Sequence, residues 1–458
     1  VFNFCPPLEH YITLETDPQF MAPDSAAKAV TITSHTHVRP TKLIGSKDFH
    51  LTTFDLPYLA FYYNQKLMLY NGGPAFDFDV TVRKMKRGLE TALEDFYPLA
   101  GRLATDEDGV FYLKYNDDMQ GIEVMEGVAG DFNVDDLSAK QDTATFLPFI
   151  PCNGTPNLDG LRLPLVSIQL TKLADGIAVG CAFNHAVIDG SSTWHFISSW
   201  AEACNNVITR KPTLERSNIR NTRVNLGPYL AARPVTNNET AKSNRDRVFR
   251  FSSEAIAKIK KSVNACPAEN GGKPFSTFQS LGAHIWRSVC RARELKQEDV
   301  TVFAVFMDCR RRLEPPVPEG YLGNVIHAVF THSTAGMLGA SAAVGSSLIQ
   351  KAVEAHDGKA IKERNMIWEM DPKIFEYRDA GVNCVVVGSS PRFRVYDVDF
   401  GWGKAETVRG GGNNKFDGMV YLYPGKVGGQ SVDVEITLEA GAMERLEKDK
   451  VFLGHDVP

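Results

Sequence analysis

Within residues 176–200, GIAVGCAFNHAVIDGSSTWHFISSW, the hydrophobic period changes from two to helical, so one continuous segment must be a strand that turns a corner into a helix. Ile177, Val179, Cys181 and Phe183 fall on one strand face, and the small residues Ala178, Gly180 and Ala182 fall on the other. Past Gly190, Trp194, Ile197 and Ala201 stand at i, i+3 and i+7. Upstream, 165–173 reads as a second strand, joined to the first through Ala174-Asp175-Gly176 as a hairpin. Asn184, His185 and Asp189 therefore occupy a strand-to-helix corner.

Strand and helix signals alternate on both sides of this corner. The aromatic, β-branched stretch 49–70 breaks at Leu56-Pro57, which predicts a turn followed by a strand over 60–70. Its Phe61, Tyr62 and Tyr63 are either core or the lining of a ligand opening. Met85, Leu89, Leu93 and Phe96 give an amphipathic helix from 82, followed by a meander that includes 110–115 and 122–125. Residues 206–243, rich in Arg, Asn, Thr and Pro, read as an interdomain linker. The second half offers strands at 248–251, 300–306, 325–331 and 382–387. Its helices fall after 252, at 275–293, 341–355 and 362–368, and at 441–450. The expected class is mixed α/β in two halves, 21–205 and 244–458, with a segment near 399–425 able to pack on the first. Val1 to Phe20 lack the pattern of a signal peptide, and Met21 opens MAPDSAAKAV like an ordinary protein start; 1–20 are expected to add little to function.

At 458 residues with 43% hydrophobic content, the chain can bury more than one core. A formal net charge of -5 and a pI near 6.2 speak against a nucleic-acid partner. No apolar run reaches the roughly 18 to 20 residues of a spanning helix. The 8 cysteines are scattered without CxxC pairs, as expected of a cytoplasmic protein. The Asn153-Gly154-Thr155 and Asn238-Glu239-Thr240 acceptors carry little weight without a secretory signal.

Familiar nucleophile, phosphate and zinc signatures are absent: no G-x-S-x-G, no Walker loop, no H-E-x-x-H and no zinc-spaced His/Cys pattern. Gly401-Trp402-Gly403 begins a dinucleotide fingerprint that Glu406 ends. No metal and no covalent serine intermediate are expected. His185 is left as either a satisfied core histidine or a general base, since imidazole titrates near neutrality. Asp189, in Asp-Gly-Ser-Ser before a helix, suits an N-cap. Lys258, Lys260 and Lys261 form either a solvated helix face or a clamp for phosphates.

His185-Ala186-Val187-Ile188-Asp189-Gly190 and Asp399-Phe400-Gly401-Trp402-Gly403, in this order and far apart, resemble the signature pair of the plant BAHD acyltransferases. Tyr97-Pro98-Leu99-Ala100-Gly101-Arg102 and Tyr321-Leu322-Gly323-Asn324 resemble further segments of that family, and the likeness runs over about 37–453. The resemblance implies two domains like chloramphenicol acetyltransferase, with an active-site channel between them. An acyl-CoA co-substrate enters from one side and a hydroxylated small-molecule or lipid acceptor from the other, with no bound cofactor, in a monomer.

Carried over residue by residue, the resemblance makes His185 the general base. Asp189 becomes a structural brace paired with Arg310, and Asp399, Phe400, Gly401, Trp402 and Gly403 an architectural loop. Ser389, Ser390 and Arg392 fall on the CoA side, with Lys258 and Lys261 as looser phosphate candidates. Phe61, Tyr62, Tyr63 and Gly388 fall on the acceptor side. Hydroxycinnamoyl-transferring members carry a Thr-Ser-Trp-type segment where this chain has Gly388-Ser389-Ser390-Pro391, and loss of that indole and hydroxyl should widen or reshape the acceptor side. Segments such as 49–66 and 379–403 resemble a cutin-related branch and imply a hydroxy fatty acyl acceptor. The alternatives are a phenolic O- or N-acyltransferase, a condensation-type enzyme using a carrier-bound acyl group, and a silent ligand-binding protein on the same scaffold. Condensation enzymes usually carry a second histidine where this chain has Asn184.

Overall fold

A computed structural model describes residues 29–454, apart from Ala75 and the segments 208–209, 217–218, 221–222, 228–242, 266–272 and 375–376. The 1–20 extension, Cys5, Cys266, the Asn238 acceptor and much of the expected linker lie outside the described residues.

The first half runs β1 (Thr31–Val38), β2 (Lys47–His50), β3 (Asn64–Asn71), α1 (Phe78–Asp95), β4 (Arg102–Thr105), β5 (Phe111–Tyr115), β6 (Ile122–Ala129), α2 (Val134–Ala139), β7 (Val166–Leu173), β8 (Gly176–Phe183) and α3 (Gly190–Cys204). The second half continues with β9 (Asn244–Phe251), α4 (Ser253–Ala265), α5 (Thr277–Ala292), β10 (Val300–Asp308), β11 (Ile326–Thr334), α6 (Ala335–Ala340), α7 (Ala342–Ala355) and α8 (Gly358–Met370). It ends with β12 (Val385–Val387), β13 (Thr407–Gly410), β14 (Met419–Pro424), β15 (Val432–Glu439) and α9 (Ala440–Glu447).

Two six-stranded mixed sheets organise these elements, in the orders β1-β6-β7-β8-β3-β13 and β11-β10-β12-β14-β15-β9, beside a small sheet β2-β5-β4. The fold class is mixed α/β. The hairpin forms with Val166 opposite Phe183 and Lys172 opposite Ile177. Both faces of β8 are buried, as its unbroken small and apolar sequence requires. One strand leaves its own half: β13 pairs antiparallel with β3, Thr407 opposite Leu69 and Gly410 opposite Lys66, and closes the edge of the first sheet. The large apolar cluster of the first half accordingly includes Val395, Val398, Phe400 and Val408.

Several boundaries differ from expectation for local reasons. The strand expected over 60–70 starts only at Asn64, because Leu56–Ala60 form a 3-10 turn with Pro57 in its first positions. α1 begins at Phe78 because the Asp77 carboxylate accepts from Val80 N at 2.9 Å. β12 shrinks to three residues, since Asn383 takes a left-handed conformation (φ 47) beside exposed Val382. The expected linker is partly packed: Ile219 and Leu226 are buried, and Arg216 reaches Asp55 at 3.1 Å. Among the described residues no helix is long and apolar enough to cross a membrane.

Candidate active site

β8 ends at Phe183, and α3 begins at Gly190, so His185 sits in a six-residue corner held by asparagines from two distant segments. Its N–H donates to Asn157 Oδ1 at 2.8 Å, and its carbonyl accepts from Asn324 Nδ2 at 2.9 Å. Asn184 ties the same corner down by donating to the Asn157 carbonyl at 2.6 Å. The imidazole lies flat on the ring of Tyr58, centroids 4.7 Å apart with 9° between planes. Asn324 is fixed in turn by Asp55, whose Oδ1 accepts from both its N–H and its Nδ2 at 3.0 Å.

His185 is half-buried. Its Nδ1 is enclosed and makes no well-formed hydrogen bond, although its own carbonyl and the Asn324 side chain favour the protonated ring. Burial outweighs these and the charge of Asp189, and holds the imidazole below its ordinary pKa, with Lys66 adding to the depression. Among the described residues no hydroxyl or thiol is hydrogen-bonded to the ring. A neutral imidazole without a nucleophile on it can take a proton from a bound molecule through Nε2.

Asp189 faces away from this chemistry. Its Oδ1 accepts from Ser192 N at 2.9 Å and caps α3, while its Oδ2 accepts from Arg310 at 2.7 Å and from Val325 N at 3.1 Å. Both residues of this pair are buried, and Arg310 also donates to Ser192 Oγ at 3.1 Å and to the Gly323 carbonyl at 3.2 Å. Burial alone would raise the Asp189 carboxyl; the Arg310 charge and the backbone donors hold it below its usual value. The pair bolts the end of β10 to the His185 corner.

The loop Asp399–Gly403 is built around one carboxylate oxygen: Asp399 Oδ1 accepts from the N–H groups of Gly401, Trp402 and Gly403 at 2.7, 3.1 and 2.9 Å. This winding needs φ of 106 at Gly401 and 110 at Gly403. Phe400 is fully buried, edge-on to Trp200 at 4.7 Å and to Tyr70 at 5.8 Å, with Trp402 stacked on it. Lys84 of α1 donates to the Phe400 carbonyl at 2.8 Å and Asn205 to that of Asp399 at 2.9 Å. These contacts fasten the loop to β3, α1 and the end of α3.

The Transferase family model matches residues 28–453. BAHD acyltransferase DCR of Arabidopsis thaliana is 54% identical over 447 residues, 93% of this chain and 92% of that protein. The chain belongs to the BAHD acyltransferases. Hydroxycinnamoyltransferase 2 of Oryza sativa subsp. japonica is 31% identical over 425 residues, 88% of this chain and 93% of that one. In fold, this BAHD acyltransferase resembles F. graminearum TRI101 complexed with coenzyme A and T-2 mycotoxin. The TM-score is 0.72 at 21% identity, covering 89% of this chain and 98% of that one.

Other residues of this BAHD acyltransferase lie differently from expectation. Tyr63 is core rather than pocket lining: it is fully buried, and its hydroxyl donates to the Pro164 carbonyl at 2.8 Å. Tyr62 is half-buried and exchanges two 2.9 Å backbone hydrogen bonds with the Asn414 side chain. Phe61 is half-buried and reaches the site through Tyr58, 5.4 Å away. Gly388 does not open space: a Cβ there would lie 2.2 Å from Met419 Cε and 3.1 Å from the Tyr421 ring, which fill the volume.

The 388–393 loop does reach the His185 corner, since a Cβ on Gly190 would lie 2.9 Å from Phe393. Within it, Ser389 donates to the Leu422 carbonyl at 3.0 Å, Ser390 Oγ accepts from Arg392 N at 3.3 Å, and the Arg392 side chain is exposed. Lys258 and Lys261 are not drawn to this loop; α4 packs on α5, α7 and β9, and Lys258 pairs with Glu254 one turn back at 3.0 Å.

The fold also assembles a cluster that sequence spacing could not reveal. Cys309, His327 and His356 are buried with donor atoms within 4.8 Å of one another, spacing that would admit an ion. The imidazoles are hydrogen-bonded to each other at 3.1 Å, and His327 also to Asn365 at 3.0 Å. Burial and then the Arg364 charge push His327 down to about 3 and His356 to about 4. The same positive charge opposes an added cation.

Proposed function

We propose that this chain transfers an acyl group from a CoA thioester to the hydroxyl of a lipid acceptor, with His185 as general base and no covalent intermediate. The observation that carries the reading is the isolated, depressed imidazole, held by Asn157 and Asn324 and stacked on Tyr58, with Nε2 left for a substrate proton. His185 takes the acceptor O–H proton as the oxygen attacks the thioester carbonyl carbon. The tetrahedral oxyanion collapses by breaking the C–S bond, and the imidazolium returns its proton to the departing thiolate.

Two likenesses support the donor and the acceptor class. A structure of the same fold is complexed with coenzyme A, and the resemblance of segments 49–66 and 379–403 to a cutin-related branch favours a hydroxy fatty acyl acceptor. We place the enzyme in the cytosol as a monomer. Thiol release from a panel of acyl-CoAs, offered hydroxy fatty acids, glycerol or phenolic acceptors, tests the reading. Turnover with hydroxy lipids supports it. Efficient turnover with shikimate or another phenolic-pathway acceptor overturns the lipid assignment in favour of chemistry like that named for the rice relative.

A further inference from the structure

Lys66 is a buried cation that acyl transfer at His185 does not use. Lys66 lies on β3, 5% exposed, opposite Cys181 on β8, the strand whose end delivers His185. Its Nζ donates to Asn64 Oδ1 at 3.0 Å and stands 5.9 Å from the centre of the Tyr421 ring. Asn64 pairs with Phe183, so the ammonium reaches back toward the His185 end of the hairpin. Tyr421 is the ring that fills the space beside Gly388.

Among the described residues no carboxylate comes within salt-bridge distance of Lys66. The buried acids on neighbouring strands are committed elsewhere. Glu435 accepts from Lys415 and from Thr143, and Asp433 accepts from Arg409 at 3.3 Å. Asp246 faces Lys415 at 3.4 Å. Burial pulls the Lys66 ammonium down to about 8 against the attraction of Glu435, with Lys415 adding to the depression, and the Lys66 charge opposes protonation of His185. A buried ammonium without a paired carboxylate is costly, and a carboxylate on a bound molecule would supply the missing partner.

We infer that Lys66 anchors a carboxylate on the acceptor, so that the substrate is a hydroxy acid with its acid group free rather than an ester or a neutral alcohol. The inference rests on the reading of His185 as the base for a hydroxyl acceptor. Lys66 pairs with Cys181, four positions before His185, a backbone span of at most about 14 Å even for fully extended chain. Acid and hydroxyl are therefore closer together than the two ends of an extended long-chain fatty acid.

The test compares hexadecanoic acids hydroxylated near the carboxyl end, mid-chain or at the far end, each with its methyl ester, on wild-type enzyme, Lys66→Met and Lys66→Arg. Wild type is expected to favour acid over ester by about tenfold or more in kcat/KM, through KM, as a charge-assisted hydrogen bond supplies. The preference should be weakest for the far-end hydroxyl. Lys66→Met should bring the acid-to-ester ratio near one, and Lys66→Arg should restore most of it. Calorimetric binding of acid and ester to His185→Ala reads the same preference without turnover. Equal binding and turnover of acid and ester in wild type overturn the anchor while leaving acyl transfer standing. Preferred binding of the acid without thiol release from any acyl-CoA keeps the anchor and removes the catalytic reading. A Lys66→Met effect confined to the choice between neutral and carboxylate-bearing acyl-CoAs places the anion on the donor and overturns the proposal.

Discussion

At the scale of single residues, the catalytic proposal rests on one imidazole and what surrounds it. His185→Ala should lower kcat/KM by at least about 10²-fold, the lower end of what a positioned base supplies, with CoA binding and circular dichroism unchanged. Retained turnover would remove the general-base role. The base works deprotonated, and burial holds its pKa below the ordinary value, so kcat/KM should fall on acidification only below about pH 6.5. A pH–rate profile whose acid limb lies above that value would contradict the desolvated site. Tyr58, Asn157 and Asn324 were not legible as site residues. The hydrogen bonds tie His185 to partners 28 and 139 residues away, and no local pattern records such pairings. The one available signal was the Tyr321–Asn324 segment, which resembled a family motif without disclosing what its Asn touches.

At the scale of elements, the strand-to-helix corner stands on the Asp189–Arg310 pair. Its cap role was readable from Asp-Gly-Ser-Ser; the partner came only through resemblance. Asp189→Asn leaves the buried guanidinium with only the half-exposed Asp308 carboxylate, 3.3 Å away, as counter-charge and should cost about 3 kcal/mol, the low end for a broken buried pair, in urea unfolding, with activity falling alongside. A variant of full stability that loses only the chemical step would show that Asp189 acts on His185 directly. Because the folded carboxyl is held below its unfolded value of about 3.9, the pair contributes stability above that pH and loses it as pH falls through the folded value. Acid unfolding of wild type should therefore be steeper than that of Asp189→Asn. Gly388 gives the opposite lesson. The loss of a Thr-Ser-Trp-type segment suggested a widened or reshaped acceptor side; at Gly388 itself Met419 and Tyr421 occupy the space, which only packing decides.

At the scale of the whole molecule, the two halves are held together by chain that crosses between them. β13 completes the first sheet, and the Asp399–Gly403 loop pins Phe400 among Trp200, Tyr70 and Trp402. Phe400→Ala should destabilise by about 3–5 kcal/mol as it empties a packed site, read as a lower melting temperature. Enzyme still folded should keep its chemical rate, because the hydrogen bonds and ring contacts of this loop run to β3, α1 and α3 and not to His185. A Phe400→Ala protein of normal stability but slow chemistry would place the loop in the reaction instead.

The alternation of strand and helix, the hairpin, the corner that carries His185 and the cap beneath it were legible in the linear chain, because each follows from period and local hydrogen bonding. Motif resemblance added the family and the bracing role of Asp189 and Arg310. Tertiary packing alone set what surrounds the imidazole, which aromatic rings are core, that the space at Gly388 is filled and that Lys66 is buried with no carboxylate of the described residues in salt-bridge reach. Those facts depend on long-range packing, in which volume and charge are balanced between residues that the linear order keeps far apart.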